Sequence, residues 1–213
     1  MPNKMKKLII VGAGGFGREA FFLAQEINKT NQRWEILGFI DDNQNALDGM
    51  IGLPPVIGKI SEWTPAEDEV FAMGIASPKV KEKLSTLLES KGAKFETLIH
   101  PAALVNEYAV IGEGSVIGGR SSVGHMTRIG RFVHLAGSMV GQNAEVGDYS
   151  TSTGFANLTN AHLGKRVFVG SHAVVLNGKK VGDDAFICAG SICFSNVKAG
   201  TKVFGNPAKR MNF

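Results

Sequence analysis

The chain has 213 residues, of which 44% are hydrophobic and 20% charged, with a formal net charge of +4. This composition excludes a disordered or low-complexity protein and leaves room for one or two globular domains. No apolar run reaches the roughly 18 to 20 residues of a membrane span, and no signal-peptide cleavage pattern follows the N-terminus. We therefore expect a cytoplasmic protein with no membrane partner, and the scattered basic residues disfavour nucleic acid.

The first elements predict a strand, a glycine turn and a helix. Lys6–Val11 is a short apolar run, and a helical pattern extends to about Glu26. Glycines at 12, 14 and 17 fit G-x-G-x-x-G, in which backbone N–H groups and a helix N-terminus approach a phosphate or other polar ligand. The alternative is that these glycines only permit close packing of strand and helix. The predicted substrate contacts in this turn are Gly12, Ala13, Gly14 and Gly15.

The following elements complete a small α/β domain over residues 1–98. A strand at Trp34–Ile40 ends at Asp41 and Asp42, whose carboxylates can accept hydrogen bonds from a ribose or a base. A strand at 69–76 ends near Gly74, and a helix at 78–90 and a last strand at 95–99 follow. Asp41, Asp42 and Gly74 are thus further candidate substrate contacts. Because a dinucleotide fold usually has six strands and this segment has room for about four, we favour a mononucleotide or nucleotide sugar over NAD.

From Val105 onward the chain repeats every six residues. Each hexapeptide begins with an apolar residue except at Ser152, and Gly often follows it. The starts are Val105, Ile111, Ile117, Val123, Ile129, Leu135, Val140, Val146, Ser152, Leu158, Leu163, Val169, Val175, Val181, Ile187 and Cys193. A period of six fits neither a helix nor a flat strand, and it predicts a β-solenoid over residues 99–213.

The hexapeptide predicts which side chains fill the solenoid. If each unit forms one side of a triangular coil, the first and fifth residues point inward, and Gly at the second position suits a tight corner. The repeats then make roughly five coils, each buried by its neighbours. Cys188 and Cys193 form neither a C-x-x-C motif nor a disulfide framework, so we interpret them as small core residues.

Several motifs together resemble a known family. They are GAGGFGRE after the first strand, GFIDD after the second, LIHP at 98–101, VGHMTRIGRFVHLA at 123–136 and GNPAK at 205–209. This combination is similar to the bacterial sugar-nucleotide acyltransferases related to sialic acid O-acetyltransferase. The resemblance implies an α/β, Rossmann-like N-terminal domain for a nucleotide-linked sugar. It also implies an all-β, left-handed parallel β-helix that forms a homotrimer, with acetyl-CoA between adjacent prisms and no metal.

The resemblance also assigns roles to individual residues. His125 falls on the general base of the family and His134 on the histidine that lines the acetyl-CoA site. In the hexapeptide frame both side chains point out of the prism, on coil faces that a neighbouring subunit can approach. An imidazole titrates near neutral pH and suits general base catalysis. The further expected acetyl-CoA contacts are Gln142, Gly154 and Gly170.

Two features depart from the family. An acid often follows the catalytic histidine, but this chain has Met126, whose thioether is a weak acceptor. A backbone carbonyl, a water or a neighbouring subunit must then orient His125, or the base is weaker than usual. Because an amine tolerates a weaker base better than a hydroxyl does, this favours an amine acceptor. In addition, residues 146–162 resemble an additional coil. Its polar residues 149–153 are expected to face solvent, although they could be hydroxyls around an acyl group.

The leading prediction is an acetyltransferase that transfers an acyl group from acyl-CoA to a nucleotide-activated amino sugar for surface polysaccharide or glycan assembly. A hydroxyl acceptor, as in sialic acid, is the first alternative. The second is an NAD-dependent oxidoreductase with the solenoid as a platform. The third is a non-catalytic trimer that binds nucleotide sugars.

Overall fold

A computed structural model describes residues 5–211, in which an α/β domain precedes a β-solenoid. The elements of the first domain are β1 (Lys6–Val11), α1 (Gly15–Thr30), β2 (Trp34–Ile40), β3 (Val56–Gly58), β4 (Glu69–Met73) and α2 (Pro78–Ser90). The four strands form a parallel sheet in the order β3-β2-β1-β4. No helix in this described part of the chain is long and apolar enough to cross a membrane.

The central strand β1 explains the stability of this sheet. Its residues Leu8 and Ile10 pack with the α1 residues Phe21 and Leu23 on one face. On the other face, Ile9 packs with Leu88 of α2 and with its apolar neighbours. A parallel strand covered on both faces must be apolar at successive positions, which is why β1 appears as a continuous apolar run and not as an alternating one.

The strand prediction was wrong at two places in this domain. The sheet contains β3, a three-residue strand after two prolines that gave no strand pattern. The predicted strand at 95–99 does not join the sheet as one element. Phe95 makes an isolated bridge to Phe71, whereas Leu98–Ile99 pairs with Val116–Ile117 in the solenoid. The solenoid ladder therefore starts at Leu98, one residue before the predicted domain boundary.

The solenoid is a stack of two-residue strands. They are β5 (Leu98–Ile99), β6 (Leu104–Val105), β7 (Val110–Ile111), β8 (Val116–Ile117), β9 (Ser122–Val123), β10 (Arg128–Ile129), β11 (His134–Leu135), β12 (Met139–Val140), β13 (Glu145–Val146), β14 (Thr151–Ser152), β15 (His162–Leu163), β16 (Phe168–Val169), β17 (Val174–Val175), β18 (Lys180–Val181), β19 (Phe186–Ile187) and β20 (Ile192–Cys193), followed by β21 (Lys202–Phe204) and β22 (Lys209–Arg210).

These strands form three faces. The first face contains β5, β8, β11, β14, β16, β19 and β21, with β22 antiparallel at its end. The second contains β7, β10, β13, β15 and β18. The third contains β6, β9 and β12 and continues through bridges of Asn157 to β17 and β20. The predicted Rossmann-like domain and left-handed β-helix are thereby confirmed.

The interior follows the hexapeptide frame. The first-position residues from Ile117 to Cys193 are almost fully buried, including Ser152, which shares a hydrogen bond of 2.8 Å with Ser138. Buried fifth-position hydroxyls donate to backbone carbonyls, as Thr127 Oγ1 does to the Gly141 oxygen at 2.6 Å. Cys193 is also buried, and burial raises the pKa of its thiol to about 11, consistent with a core residue.

The explanation of the second-position glycines needs a correction. The left-handed backbone at the corners falls on the fourth position, as at Arg120 and Met126, so the second position is not the strained one. The second-position glycines serve the close approach of neighbouring coils. A Cβ on Gly112 would lie 2.5 Å from the Gly130 carbonyl carbon, and one on Gly170 would lie 2.4 Å from the Ala189 nitrogen.

Candidate active site

His125 lies at a corner of the prism, which we call the histidine corner. It comprises the stacked turns 106–109, 124–127 and 141–144, between the third and second faces. The His125 side chain is exposed, as the hexapeptide frame predicts. It has no hydrogen bond or ion pair to another described residue of the chain, and the adjacent Met126 is 64% exposed. An imidazole in this position can reach a ligand and exchange a proton with it.

His134 has the opposite environment, which corrects the expectation of an accessible coil face. Its ring points out of the prism but is only 1% exposed, because the N-terminal domain covers the first face of the solenoid. Phe16 packs edge-on against it with ring centroids 4.4 Å apart. Neither ring nitrogen has a hydrogen-bond partner among residues 5–211. Burial, and then the nearby charge of Lys81, hold the pKa of His134 well below 6.5.

Next to His134 is a buried polar network that we call the domain seam. Lys81 of α2 is 1% exposed and donates to the Ser150 carbonyl at 3.1 Å and to Thr151 Oγ1 at 2.8 Å. Thr151 in turn donates to the Ala76 carbonyl at 2.7 Å. Burial lowers the pKa of Lys81 to about 7. The seam ties the loop after β4 to the solenoid, so the two domains hold a set orientation.

The sequence interpretation missed this seam. Lys81 shares a helical stripe with Ser85 and Leu88, and this spacing was a signal that it is buried. The expectation that residues 149–153 face solvent was wrong for the three central residues. Ser150 and Ser152 lie inside the prism because they are the fifth and first residues of their hexapeptides. Thr151 points outward and lies in the seam, because the N-terminal domain covers that face of the solenoid.

In the glycine turn, some glycines permit close packing of strand and helix, and others leave backbone open to a ligand. Gly12, Gly17 and Gly74 are needed for packing: a Cβ on Gly17 would lie 1.8 Å from the Gly12 oxygen, and one on Gly74 would lie 2.5 Å from the Gly17 Cα. Gly14 and Gly15 are exposed, with nothing within 4 Å of an added Cβ. No side chain caps the N-terminus of α1. Those two residues therefore leave backbone accessible to a ligand at a helix N-terminus.

The two aspartates lie beside this turn but differ in their bonding. Asp41 accepts hydrogen bonds of 2.8 Å from the Ala13 and Asn43 backbone nitrogens. Asp42 is exposed and accepts from both the backbone nitrogen and the hydroxyl of Ser61, each at 3.2 Å. Asp41 thus shapes the glycine turn, and each carboxylate keeps lone pairs available to a ligand.

The remaining predicted contacts fall at two corners. Gln142 lies in the histidine corner, where its backbone nitrogen is 2.6 Å from the Cβ that Gly124 lacks. Gly154 and Gly170 follow β14 and β16, at the corner between the first and third faces. One chain therefore brings Gln142 to His125 but leaves the two glycines at another corner. Among residues 5–211, no group of three or more His, Cys, Asp or Glu could hold a metal ion.

Comparison with known proteins places this arrangement in a class. Residues 7–88 match the family model of the PglD N-terminal domain. No curated protein matches significantly in sequence. Among solved structures, the acetyltransferase domain of PglB from Neisseria gonorrhoeae is 25% identical with a TM-score of 0.88, over 97% of this chain and 100% of that one. That domain has also been solved in complex with acetyl coenzyme A.

Two further structures extend the likeness. WeeI from Acinetobacter baumannii is 28% identical with a TM-score of 0.83, over 97% of this chain and 100% of its own. PerB from Caulobacter crescentus, solved with CoA and GDP-perosamine, is 19% identical with a TM-score of 0.81 over 97% of each chain, and it shows the shared fold. The predicted enzyme class, an acetyltransferase with a Rossmann-like domain and a hexapeptide β-helix, is confirmed.

Proposed function

We propose that this protein transfers an acetyl group from acetyl-CoA to the amine of a nucleotide-linked sugar, with His125 as the general base. The observation that carries the proposal is an exposed imidazole at a hexapeptide corner, in a chain that resembles an acetyltransferase domain over nearly its whole length. The exposed backbone at Gly14 and Gly15, with Arg18 one turn further along α1, suits the phosphates of a sugar nucleotide.

The reaction needs few groups. The sugar amine attacks the thioester carbonyl carbon, a C–N bond forms and the C–S bond breaks. His125 takes the proton that the nitrogen loses and returns it to the departing sulfur, so that free CoA thiol and an amide result. A backbone N–H donates to the oxyanion as it develops. The residue after His125 is Met126, which cannot strengthen the base, and an amine with its own lone pair tolerates a weaker base better than a hydroxyl does.

We further propose that a homotrimer completes the site. His125 and Gln142 share one corner of the prism, whereas Gly154 and Gly170 lie at another corner of the same chain. A neighbouring copy that presents its glycine corner to the histidine corner would bring the two sets together. Exposed apolar side chains around these corners suit such a contact: Tyr108 is 67% exposed and Phe155 60% exposed.

The function is tested by incubating the protein with acetyl-CoA and a panel of UDP-, dTDP- and GDP-linked sugars, in amino and hydroxyl forms. We expect release of free thiol and a product heavier by one acetyl group with an amino sugar. The His125→Ala variant is the control for catalysis. Faster transfer to a hydroxyl sugar would favour the O-acetyl alternative. Binding of NADH without thiol release from any sugar would favour the oxidoreductase, and sugar binding alone would favour the non-catalytic trimer.

A further inference from the structure

The histidine corner lacks an obvious group to orient the base. A neutral imidazole acts as a base only if the nitrogen facing the substrate carries no proton, and a hydrogen bond at the other nitrogen usually selects that tautomer. Met126 cannot fill this role, and no described residue of this chain bonds to the His125 ring. A backbone carbonyl, a water or a neighbouring copy can orient the ring, and so can a side chain that reaches it from a neighbouring coil of the same chain.

The coil preceding His125 supplies a carboxylate in register with it. Asn106 N donates to the Val123 oxygen and Val110 N donates to the Thr127 oxygen, each at 2.9 Å. These two bonds bracket the turns 106–109 and 124–127 and superpose them. Glu107 and His125 are then the second residues of two stacked turns, with backbones about 4.8 Å apart, as in neighbouring strands.

The same molecule shows that such side chains meet. At the corner between the second and first faces, the residues equivalent to Glu107 and His125 pair on successive coils. Arg131 Nη2 lies 3.2 Å from Glu113 Oε2, and Lys165 Nζ lies 3.1 Å from Asp148 Oδ2. Third-position side chains of adjacent hexapeptide coils can therefore reach each other at a corner of this prism.

Glu107 is also available for this contact. It is exposed and has no hydrogen bond or ion pair to another described residue. On the opposite side of His125, the next coil carries Gln142, whose amide has no charge. Of the two neighbours of the imidazole, only Glu107 can accept a hydrogen bond from a ring N–H and also stabilise the protonated ring.

We propose that Glu107 is the positioning residue for His125, in place of an acid at position 126. Its carboxylate accepts a hydrogen bond from one ring nitrogen and leaves the other unprotonated toward the acceptor. This inference rests on the proposed acetyl transfer for its catalytic consequence. Because both groups are exposed, the effect is much smaller than the ~10⁴-fold loss that follows removal of a buried orienting carboxylate.

The first measurement compares Glu107→Gln with Glu113→Gln. The second variant removes the third-position acid at the corner between the second and first faces. We expect the Glu107→Gln variant to lose about tenfold in kcat with the KM of both substrates unchanged, since the base and not the binding is affected. Glu113→Gln should behave like the wild type. Equal losses in both variants, or none in Glu107→Gln, would overturn the proposal.

The second measurement does not depend on turnover. The ¹⁵N shifts of histidine-labelled protein at alkaline pH report which nitrogen of each neutral ring carries the proton. We expect His125 to be one tautomer in the wild type and in Glu113→Gln, and a mixture in Glu107→Gln. If His125 keeps a single tautomer in Glu107→Gln, the proposal is overturned whatever the kinetic result. If the wild type transfers no acetyl group to any acceptor, the proposed function fails, and the tautomer result alone decides the role of Glu107.

Discussion

The histidine corner and the domain seam carry the same residue type nine positions apart, with opposite surroundings. The His125 ring is exposed and has no hydrogen-bond partner among the described residues, whereas His134 is 1% exposed beneath Phe16. Both side chains leave the prism, but the N-terminal domain covers the face on which His134 lies and leaves His125 exposed. Coverage by another domain thus decides whether an outward histidine can exchange protons, because burial penalises the charged imidazole.

The largest expected effect concerns the exposed histidine, His125. Replacing His125 by Ala should lower kcat by ~10²–10⁴-fold, the usual contribution of a general base. Its exposed ring packs against little, so the unfolding midpoint should stay that of the wild type. Thiol release and circular dichroism on the same samples measure the two quantities. Full activity in a folded His125→Ala protein would remove this residue from the mechanism.

For the buried His134 we expect the reverse pattern, a loss of stability and not of turnover. His134→Ala should destabilise the fold by about 2 kcal/mol, because a buried ring leaves a cavity beside Phe16. The unfolded chain binds a proton at His134 below pH 6.5 and the folded chain does not, so wild-type stability falls as the pH drops below that value. Urea unfolding at pH 5 and 7 measures both effects. A raised KM for acetyl-CoA with unchanged stability would instead support His134 as an acetyl-CoA contact.

Lys81, in the domain seam, should make the free energy of unfolding depend on pH in the alkaline range. Its pKa falls from 10.5 to about 7 on folding, so between these values the unfolded chain binds more protons than the folded one. The free energy of unfolding should therefore rise with pH across this window, by about 1 kcal/mol per pH unit, and be lowest below pH 7. We expect Lys81→Met to lack this rise. Parallel pH dependences of the two proteins would contradict a lysine whose pKa is lowered by burial.

The smallest expected effect concerns the glycine corner. An added Cβ on Gly154 would meet nothing nearer than the Ala136 oxygen at 3.7 Å, so Gly154→Ala should change stability by less than about 0.5 kcal/mol. If acetyl-CoA passes this corner, its KM should rise severalfold while the KM for the sugar stays constant. Initial rates at varied acetyl-CoA test this. An unchanged KM would remove Gly154 from the acetyl-CoA site.

Where sequence patterns alone were sufficient, the structural reason is local. The bounds of β1, β2 and α2 agree with the predicted ones. The first positions of the hexapeptides from Ile117 to Cys193 are buried, because stacked repeats of period six bring these residues together in the interior. The short β3 was missed, since three residues carry no usable periodicity. Leu98–Ile99 was assigned to the wrong sheet, since an apolar pair does not specify which edge it will join.

The sequence by itself determined the two-domain architecture, the interior of the prism and the outward direction of His125, because periodicity and glycine turns act over a few residues. Only the tertiary structure decided that His134 and Lys81 are buried and that the turn of Glu107 stacks on the turn of His125. Those outcomes depend on which face the N-terminal domain covers and which turns stack. Both are set by contacts between residues far apart in the chain, which no local pattern encodes.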